Sequence, residues 1–256
     1  MPSDASVCPV CRQEIAEESL ERILPILKRP ETPDVRMMSI RERLFGVVRN
    51  PSTTYSDIAH RPDTAGPLVI IIINALIMMA FYLALCSKMT VRVDVNGTLT
   101  TFSLLESPYA GPVYVSSMIS VIPNIFLGMI YLFVGSLFAH LAFKVTGGTG
   151  SRGKTVSIVG YSMMPVIVVR LISVLVVLAV LPVYNVDTSN WIVVVTSIYG
   201  SAAWGIIDIM TTISFVWVGF VLLFGIREAH NTSTMWAFLV SAACMAVLIW
   251  TFWQAH

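Results

Sequence analysis

Long apolar runs are the feature of this sequence that most restricts how the chain can fold. A helix needs about 20 apolar residues to cross the roughly 30 Å hydrocarbon core of a bilayer, and five segments of the 256-residue chain meet that length. These predicted spans lie at about 67–86, 116–143, 156–181, 203–225 and 235–252. We therefore expect an all-α membrane protein, a bundle of five transmembrane helices with a cytosolic N-terminal segment of amphipathic helices.

The composition agrees with this interpretation. Apolar residues make up 56% of the chain, charged residues only 12%, and the mean hydropathy is +0.79, whereas about a quarter of an ordinary soluble domain is charged. Most of the charges lie in residues 1–66. A soluble enzyme is excluded on these grounds. The net charge of +1 provides no field that would attract nucleic acid, so membrane lipids are the expected surroundings.

The chain divides at about residue 38. Residues 1–38 are predicted to form a cytosolic segment that ends in a proline-containing linker, and residues 39–256 the membrane domain. An amphipathic helix is expected over 13–28. Ser39 and Glu42 have the spacing of a capping box, and a second short helix should follow Pro51. The N-terminal segment either docks a cytosolic partner or lies on the bilayer or the bundle, and the sequence leaves both open.

The distribution of Lys and Arg predicts the orientation. Positive charges favour the cytosolic side, and residues 1–66 carry nine of them. The segments 145–155 and 226–234 are also basic, whereas the opposite side carries only Lys88 and Arg92. The N-terminus is thus predicted inside and the C-terminus outside, in the cell membrane of a prokaryote or the ER and Golgi of a eukaryote.

A hairpin is predicted in the outer loop. Val91, Val93 and Val95 alternate with polar residues and are followed by Asn96-Gly97, the dipeptide that favours a type I′ turn. The tripeptide Asn96-Gly97-Thr98 is also a glycosylation sequon. We favour the plain turn, because sequons are common by chance. The apolar stretch 191–224 is too long for one span, so residues 191–200 are interpreted as an interfacial or re-entrant piece that breaks near Gly200.

Residues 148–155 match the phosphate-loop pattern G-x-x-x-x-G-K-[ST]. That loop requires a preceding strand and a soluble α/β domain, whereas predicted spans flank it here, so nucleotide binding is not expected. A milder use remains: a glycine-rich loop with Arg152 and Lys154 at a helix N-terminus can hold a lipid phosphate.

Cys8 and Cys11 form a C-x-x-C that resembles half of a zinc ribbon. Tetrahedral zinc needs four ligands, and a second pair is missing from the polar segment. A zinc ion shared between two chains, a vestigial ribbon and a plain thiol pair are the alternatives. Beyond this weak zinc hypothesis, no cofactor is expected.

Arg170 and Asp208 are the ionisable residues expected deep in the bilayer. They lie about 14 and 17 residues, ~21 and ~25 Å, from the inner ends of their helices, so an interhelical ion pair is geometrically reasonable. Such a pair either locks two spans together or marks a proton or substrate site. His140 is predicted to reach the interface. The polar regions contain no catalytic constellation, so no catalytic residues are assigned.

Three stretches together resemble the Yip family of Ypt/Rab-interacting membrane proteins. They are Arg49–Leu68 with Asp63, Gly66 and Pro67; residues 147–165 with Gly147, Gly148, Gly160, Tyr161 and Pro165; and Gly225–His230. Thr64 stands where leucine is usual. The N-terminal C-x-x-C is more familiar in archaeal members.

The resemblance implies a non-enzymatic, multi-pass protein that organises membranes or vesicle traffic. Its partners would be a cytosolic protein, with a small GTPase as the family's example, and fellow members in a homo- or hetero-oligomer. The alternative is a small transporter or channel that uses Arg170 and Asp208.

Overall fold

The computed structural model describes residues 37–145, 150–187 and 189–254. The two N-terminal helices are α1 (Ile40–Arg49) and α2 (Pro51–His60). The longer helices and their connections are α3 (Ala65–Ser87), α4 (Ala110–Val145), α5 (Arg152–Ser162), α6 (Met164–Val180), α7 (Trp191–Tyr199), α8 (Ala202–His230) and α9 (Thr234–Gln254). The described part of the chain also contains three strands: β1 (Met89–Val95), β2 (Thr98–Ser103) and β3 (Tyr184–Val186).

Five of these stretches are long and apolar enough to cross a membrane. They are α3, α4, α5 together with α6, α8 and α9. Large apolar side chains remain exposed along them, as expected of helices that face lipid. The prediction of a five-helix, all-α membrane fold is confirmed. The amphipathic helix expected over 13–28 lies outside the described residues.

The short helices α1 and α2 begin where local capping chemistry places them. Glu42 N–H donates to Ser39 Oγ while Ser39 N–H donates to the Glu42 carboxylate, so the predicted capping box is present. Helix α2 begins with Pro51, whose fixed φ suits a first helical position.

Two prolines in the spans have different consequences. Helix α4 continues through Pro123, and the neighbouring Asn124 side chain donates to the Ser120 carbonyl at 2.8 Å. The third span is interrupted instead: α5 ends at Ser162, and α6 begins at Met164 with Pro165 in its first turn. Pro165 has no N–H to donate to the preceding turn, and in the first turn of a new helix that donor is not needed.

The chain forms two compact units. The first contains the described residues of 1–69, 131–165 and 215–256, and its buried core includes Tyr55, Ile58, Phe143, Ile158 and Tyr161. The polar and charged side chains that it also buries make this unit the candidate site.

The second unit contains residues 70–130 and the described residues of 166–214. Its antiparallel hairpin β1–β2 turns at Asn96 and Gly97, with φ of 55° and 83°, as the predicted type I′ turn requires. Strand β3 adds in parallel beside β1 and was not predicted. The apolar core lies around Val177, and α7 ends at the Gly200 cap, where the break was expected.

Candidate functional site

Arg43 is the centre of a buried ion network in the first unit. It lies on the inward face of α1 and is only 5% exposed. Its Nε donates to Asp57 Oδ2 at 2.7 Å, and its Nη1 donates to the Asp63 carboxylate. Arg61 donates to the other oxygen of Asp57. The network therefore joins α1, α2 and the segment that leads into α3.

The surroundings of Arg43 keep its guanidinium charged. Burial alone would lower the pKa of Arg43, but the hydrogen bond and negative charge of Asp57, with help from Tyr161 and Asp63, outweigh burial and raise it. Arginine is protonated at physiological pH in any case. Arg43 is therefore a fixed positive charge within the network and not a pH-dependent switch.

Asp63 connects this network to the first span. Its Oδ1 accepts the N–H of Gly66 at 2.7 Å, which caps the start of α3. The Tyr161 hydroxyl donates to the Asp63 carboxylate at 3.1 Å, and Ser157 Oγ donates to the Asp63 carbonyl at 2.6 Å. Both donors lie on α5, so the first and third spans are bonded to each other through one residue.

Two glycines allow α3 and α5 to approach closely enough for these bonds. A Cβ on Gly66 would overlap the Tyr161 ring, and a Cβ on Gly160 would overlap the Pro67 ring. Asp63, Gly66, Pro67, Gly160 and Tyr161 thus form one contact surface, which we call the span joint. The structure brings together residues that the family resemblance placed in two separate stretches.

Tyr55 fixes α2 against the break in the third span. Ser162 Oγ donates to the Ile158 carbonyl at 2.8 Å, so its lone pairs are left to accept the Tyr55 O–H at 2.6 Å. Burial raises the pKa of Tyr55, and the bond to Ser162 opposes it only in part. A Cβ on Gly225 would overlap Ile158 and lie 2.9 Å from the Tyr55 ring, so α8 also packs closely here.

His140 was predicted to reach the interface, and the structure shows that its side chain has polar partners inside the protein. It is buried, with Nδ1 3.3 Å from Thr155 Oγ1, and Thr155 Oγ1 is in turn 3.1 Å from His230 Nε2. The His230 ring stacks on Phe143 with 4.0 Å between centroids. A threonine hydroxyl within reach of both imidazoles explains why His140 stays inside: its polar nitrogen has a partner there.

The phosphate-loop-like string lies at the start of α5. Ser151 is the N-cap, and Arg152 and Lys154 occupy the first turn. Gly147 and Gly148 lie outside the described residues, as do Cys8 and Cys11, so the zinc hypothesis and the glycine-loop assignment stay predictions. The element that precedes this string is the span helix α4, which ends at Val145. A true phosphate loop would follow a strand.

Arg170 and Asp208 lie in the second unit, on α6 and α8. Arg170 Nη1 donates to the Asn74 side-chain oxygen on α3. That partner was not predicted. The proposed pairing of Arg170 with Asp208 stays a prediction.

The residues that sequence analysis missed are polar groups with distant partners: Arg43, Tyr55, Asp57, Ser162 and Asn74. A signal existed for Arg43, because it shares the apolar face of α1 with Leu44 and Val47. A charge on such a face indicates a buried partner, although it does not identify which acid. For Asn74 the signal was an amide inside a run of isoleucines.

Comparison with protein families gives one match. The model described as the Yip1 domain matches residues 45–254, a range that begins within α1 and ends with α9. It contains the five candidate spans and every residue of the span joint. Neither the curated proteins nor the solved structures gave a match.

Proposed function

Because the chain belongs to the Yip1 domain family, we propose that it is a membrane-organising or trafficking adaptor that holds a cytosolic partner at a membrane surface. The chain is an integral, multi-pass membrane protein, and its family is associated with membrane traffic. In this proposal the protein performs no chemistry of its own and carries no resident cofactor. It acts by binding.

The observation that carries the proposal is the buried Arg43 network. An adaptor must hold its partner in a defined position relative to the bilayer. Arg43 and Asp57 fix α1 and α2 to each other, and Asp63 fixes both to the span joint. Bonds of this kind require one geometry, whereas apolar contacts tolerate sliding. A partner bound to α1 would therefore be positioned by the spans.

The outward face of α1 offers the partner an apolar surface. Phe45 is 71% exposed, with Arg41 and Arg49 exposed on the same helix, and Met37, three residues before α1 begins, is 78% exposed. Exposed apolar residues bordered by charges are typical of protein contact sites. We propose that this face and residues 1–36 together bind the partner. The family resemblance favours a small GTPase for that role, with a homo- or hetero-oligomer formed within the bilayer.

The division of the chain into domains and its orientation in the membrane belong to the same proposal. Residues 1–38 would be the cytosolic N-terminal segment and residues 39–256 the membrane domain, whose helix α1 completes the partner-binding surface. The N-terminus would be cytosolic and the C-terminus outside. The basic residues described on the predicted inner side support this orientation, since Arg41, Arg49, Lys144, Arg152 and Lys154 all lie there.

Partner capture by affinity purification and mass spectrometry tests the adaptor function. We expect Phe45→Ser and a deletion of residues 1–36 each to lower capture of the partner about tenfold or more, the effect of losing a contact hot spot. Leu99→Ser is the matched control, because Leu99 is 75% exposed but lies in the outer hairpin. Capture that is unchanged by both cytosolic variants would refute the proposal.

A transporter is the second candidate, favoured by the polar contact of Arg170 with Asn74 inside apolar helices. Asp208→Asn separates the two functions. A transporter would lose flux across vesicles while keeping its melting temperature, whereas a structural lock would lose thermal stability and show no flux to begin with.

A further inference from the structure

Basic side chains converge where α4 ends and α5 begins. Lys144 lies in the last turn of α4, and Arg152 and Lys154 lie in the first turn of α5. The positive charges of Lys144 and Arg152 act on the buried His140 ring, and those of Lys154 and Lys144 act on His230. The side chains of Lys144, Arg152 and Lys154 therefore share one region with these two imidazoles, and we call the three cations the basic cluster.

The basic cluster lacks protein counter-charges within the described residues. The ion pairs of the first unit use Arg43, Arg61 and Arg227. No described carboxylate pairs with Lys144, Arg152 or Lys154. Like charges gathered without an acid repel one another, so an anion bound among them would stabilise the arrangement.

The first turn of α5 offers hydrogen-bond donors at the same place. Ser151 Oγ accepts the Lys154 N–H at 3.4 Å, which leaves the N–H groups of Arg152 and Gly153 directed out of the helix. A Cβ on Gly153 would meet no described atom within 4 Å, so the approach to these groups is open. The partial positive charge of a helix N-terminus adds to the cluster.

His230 provides an independent indication of a ligand. It is 2% exposed, and its Nδ1 is buried without a hydrogen-bond partner among the described residues. A Cβ on Gly150 would lie 2.6 Å from this nitrogen, so Nδ1 faces the backbone just before the Ser151 cap. The His230 Nε2 at 3.1 Å is a nearer acceptor for the Thr155 hydroxyl than the Ser151 carbonyl at 3.3 Å. With Thr155 donating to Nε2, Nδ1 carries the proton of the neutral ring and directs a donor toward the start of α5.

The first turn of α5 lies just beyond the polar layer of a bilayer, within reach of its basic side chains. Pro67, near the start of the first span, lies against Gly160. Arg152 precedes Gly160 by eight residues, ~12 Å along α5. The headgroup layer is about 5–8 Å thick on each side of the hydrocarbon core, and long basic side chains extend across the remaining distance.

We propose that the basic cluster and the first turn of α5 bind a phosphate group, supplied by the headgroup of an anionic lipid. Lys144, Arg152 and Lys154 neutralise its charge, the N–H groups of Arg152 and Gly153 donate to its oxygens, and His230 Nδ1 donates from beneath. The site is separate from partner capture, so either can fail while the other holds.

Native mass spectrometry and thermal unfolding of the full chain in nanodiscs test this site. The probes are phosphatidylglycerol, phosphatidylcholine as the neutral lipid, and inorganic phosphate. We expect phosphatidylglycerol to remain bound and to raise the melting temperature of the wild type. Arg152→Gln/Lys154→Gln should weaken that retention roughly thirtyfold, because each basic residue near an anionic surface contributes a factor of about five and the two factors multiply.

Two further variants distinguish a specific phosphate site from a non-specific effect of positive charge on lipid retention. Arg41→Gln/Arg49→Gln removes the same charge elsewhere on the first unit and should retain the lipid as the wild type does. His230→Gln keeps an amide near the Nε2 position for Thr155 but removes the Nδ1 donor. Because it also removes the ring stacked on Phe143, retention is compared at a temperature at which the lipid-free variant remains folded, and it should still fall.

Equal loss of lipid in the two double variants, or equal retention in both, would overturn the proposal. If inorganic phosphate alone protects the wild type and not Arg152→Gln/Lys154→Gln, the phosphate site stands, and its ligand is soluble. If only phosphatidylglycerol protects, the lipid headgroup is the source.

Discussion

At the residue scale, the first unit is held by a few polar side chains whose partners are all inside the protein. Arg43 shares its charge between two carboxylates from different segments, and Tyr55 donates to an oxygen whose own proton is already used. Removing one member of such a set leaves the others buried without a partner. The cost therefore exceeds the value of the lost bond.

Arg43→Gln should be strongly destabilising. It leaves the buried Asp57 with only the part-exposed Arg61 as a counter-charge and removes the arginine partner of Asp63, for which the expected cost is about 3–5 kcal/mol in the free energy of unfolding. Arg41→Gln, two residues earlier on the exposed face, should change stability by less than about 0.5 kcal/mol. Denaturant unfolding in detergent measures both. Equal effects of the two variants would show that the Arg43 network does not hold α1 in place.

Tyr55 should make stability fall in alkaline solution. Its pKa in the folded protein lies above the ordinary value of 10.0, so above pH 10 the unfolded chain loses this proton more readily and is favoured. Tyr55→Phe should cost about 1 kcal/mol at pH 8 through the lost hydrogen bond, and this deficit should narrow as the pH rises past 10. A deficit that stays constant to pH 11 in unfolding measurements would contradict the burial of the hydroxyl.

At the scale of helices and strands, the features that the sequence predicted are those that depend on neighbouring residues. The Ser39 capping box and the Asn96-Gly97 hairpin are confirmed because each depends on residues a few positions apart. Strand β3 was missed, since its parallel pairing with β1 joins residues about 95 positions apart and leaves no local signal.

The span joint shows the same limit within the site. Gly66 and Tyr161 were both named from the family resemblance, but nothing in their spacing indicated that they touch. Their contact depends on how two helices cross, and on the Arg43 network that fixes Asp63 between them. Sequence analysis therefore identified residues of the joint without its geometry.

Gly66→Ala tests the joint. The added Cβ would overlap the Tyr161 ring, so the two helices must separate, at a cost of about 1–3 kcal/mol or more. Gly111→Ala is the matched control: it is also the second residue of a span helix, and its Cβ would meet no described atom within 4 Å. Thermal unfolding should separate the two variants clearly. Equal melting temperatures would mean that α3 and α5 do not approach as closely as described.

At the scale of the whole molecule, the architecture follows from the length of the apolar runs. Five spans could be predicted because each run must cover the bilayer, whatever its partners. The sequence also predicts an orientation, through its Lys and Arg residues. What it could not provide is the arrangement of polar groups inside the first unit, which depends on packing between spans.

The chain contains two sequons that report its orientation. Asn96-Gly97-Thr98 lies at the hairpin turn on the predicted outer side, and Asn231-Thr232-Ser233 follows α8 on the predicted inner side. Translated into microsomes, the protein should gain one glycan, lost in Asn96→Gln and kept in Asn231→Gln. Loss of the glycan in Asn231→Gln instead would reverse the orientation.

The central claim is that this protein holds another protein at a membrane, and native mass spectrometry of the chain extracted gently from its own membrane tests it most directly. We predict a second polypeptide in fixed ratio, present with the full chain and absent when residues 1–36 are deleted. The same spectrum would show whether Cys8 and Cys11 carry a zinc ion. A bare monomer that carries only lipid or a small solute would contradict the adaptor account and favour transport through Arg170 and Asp208.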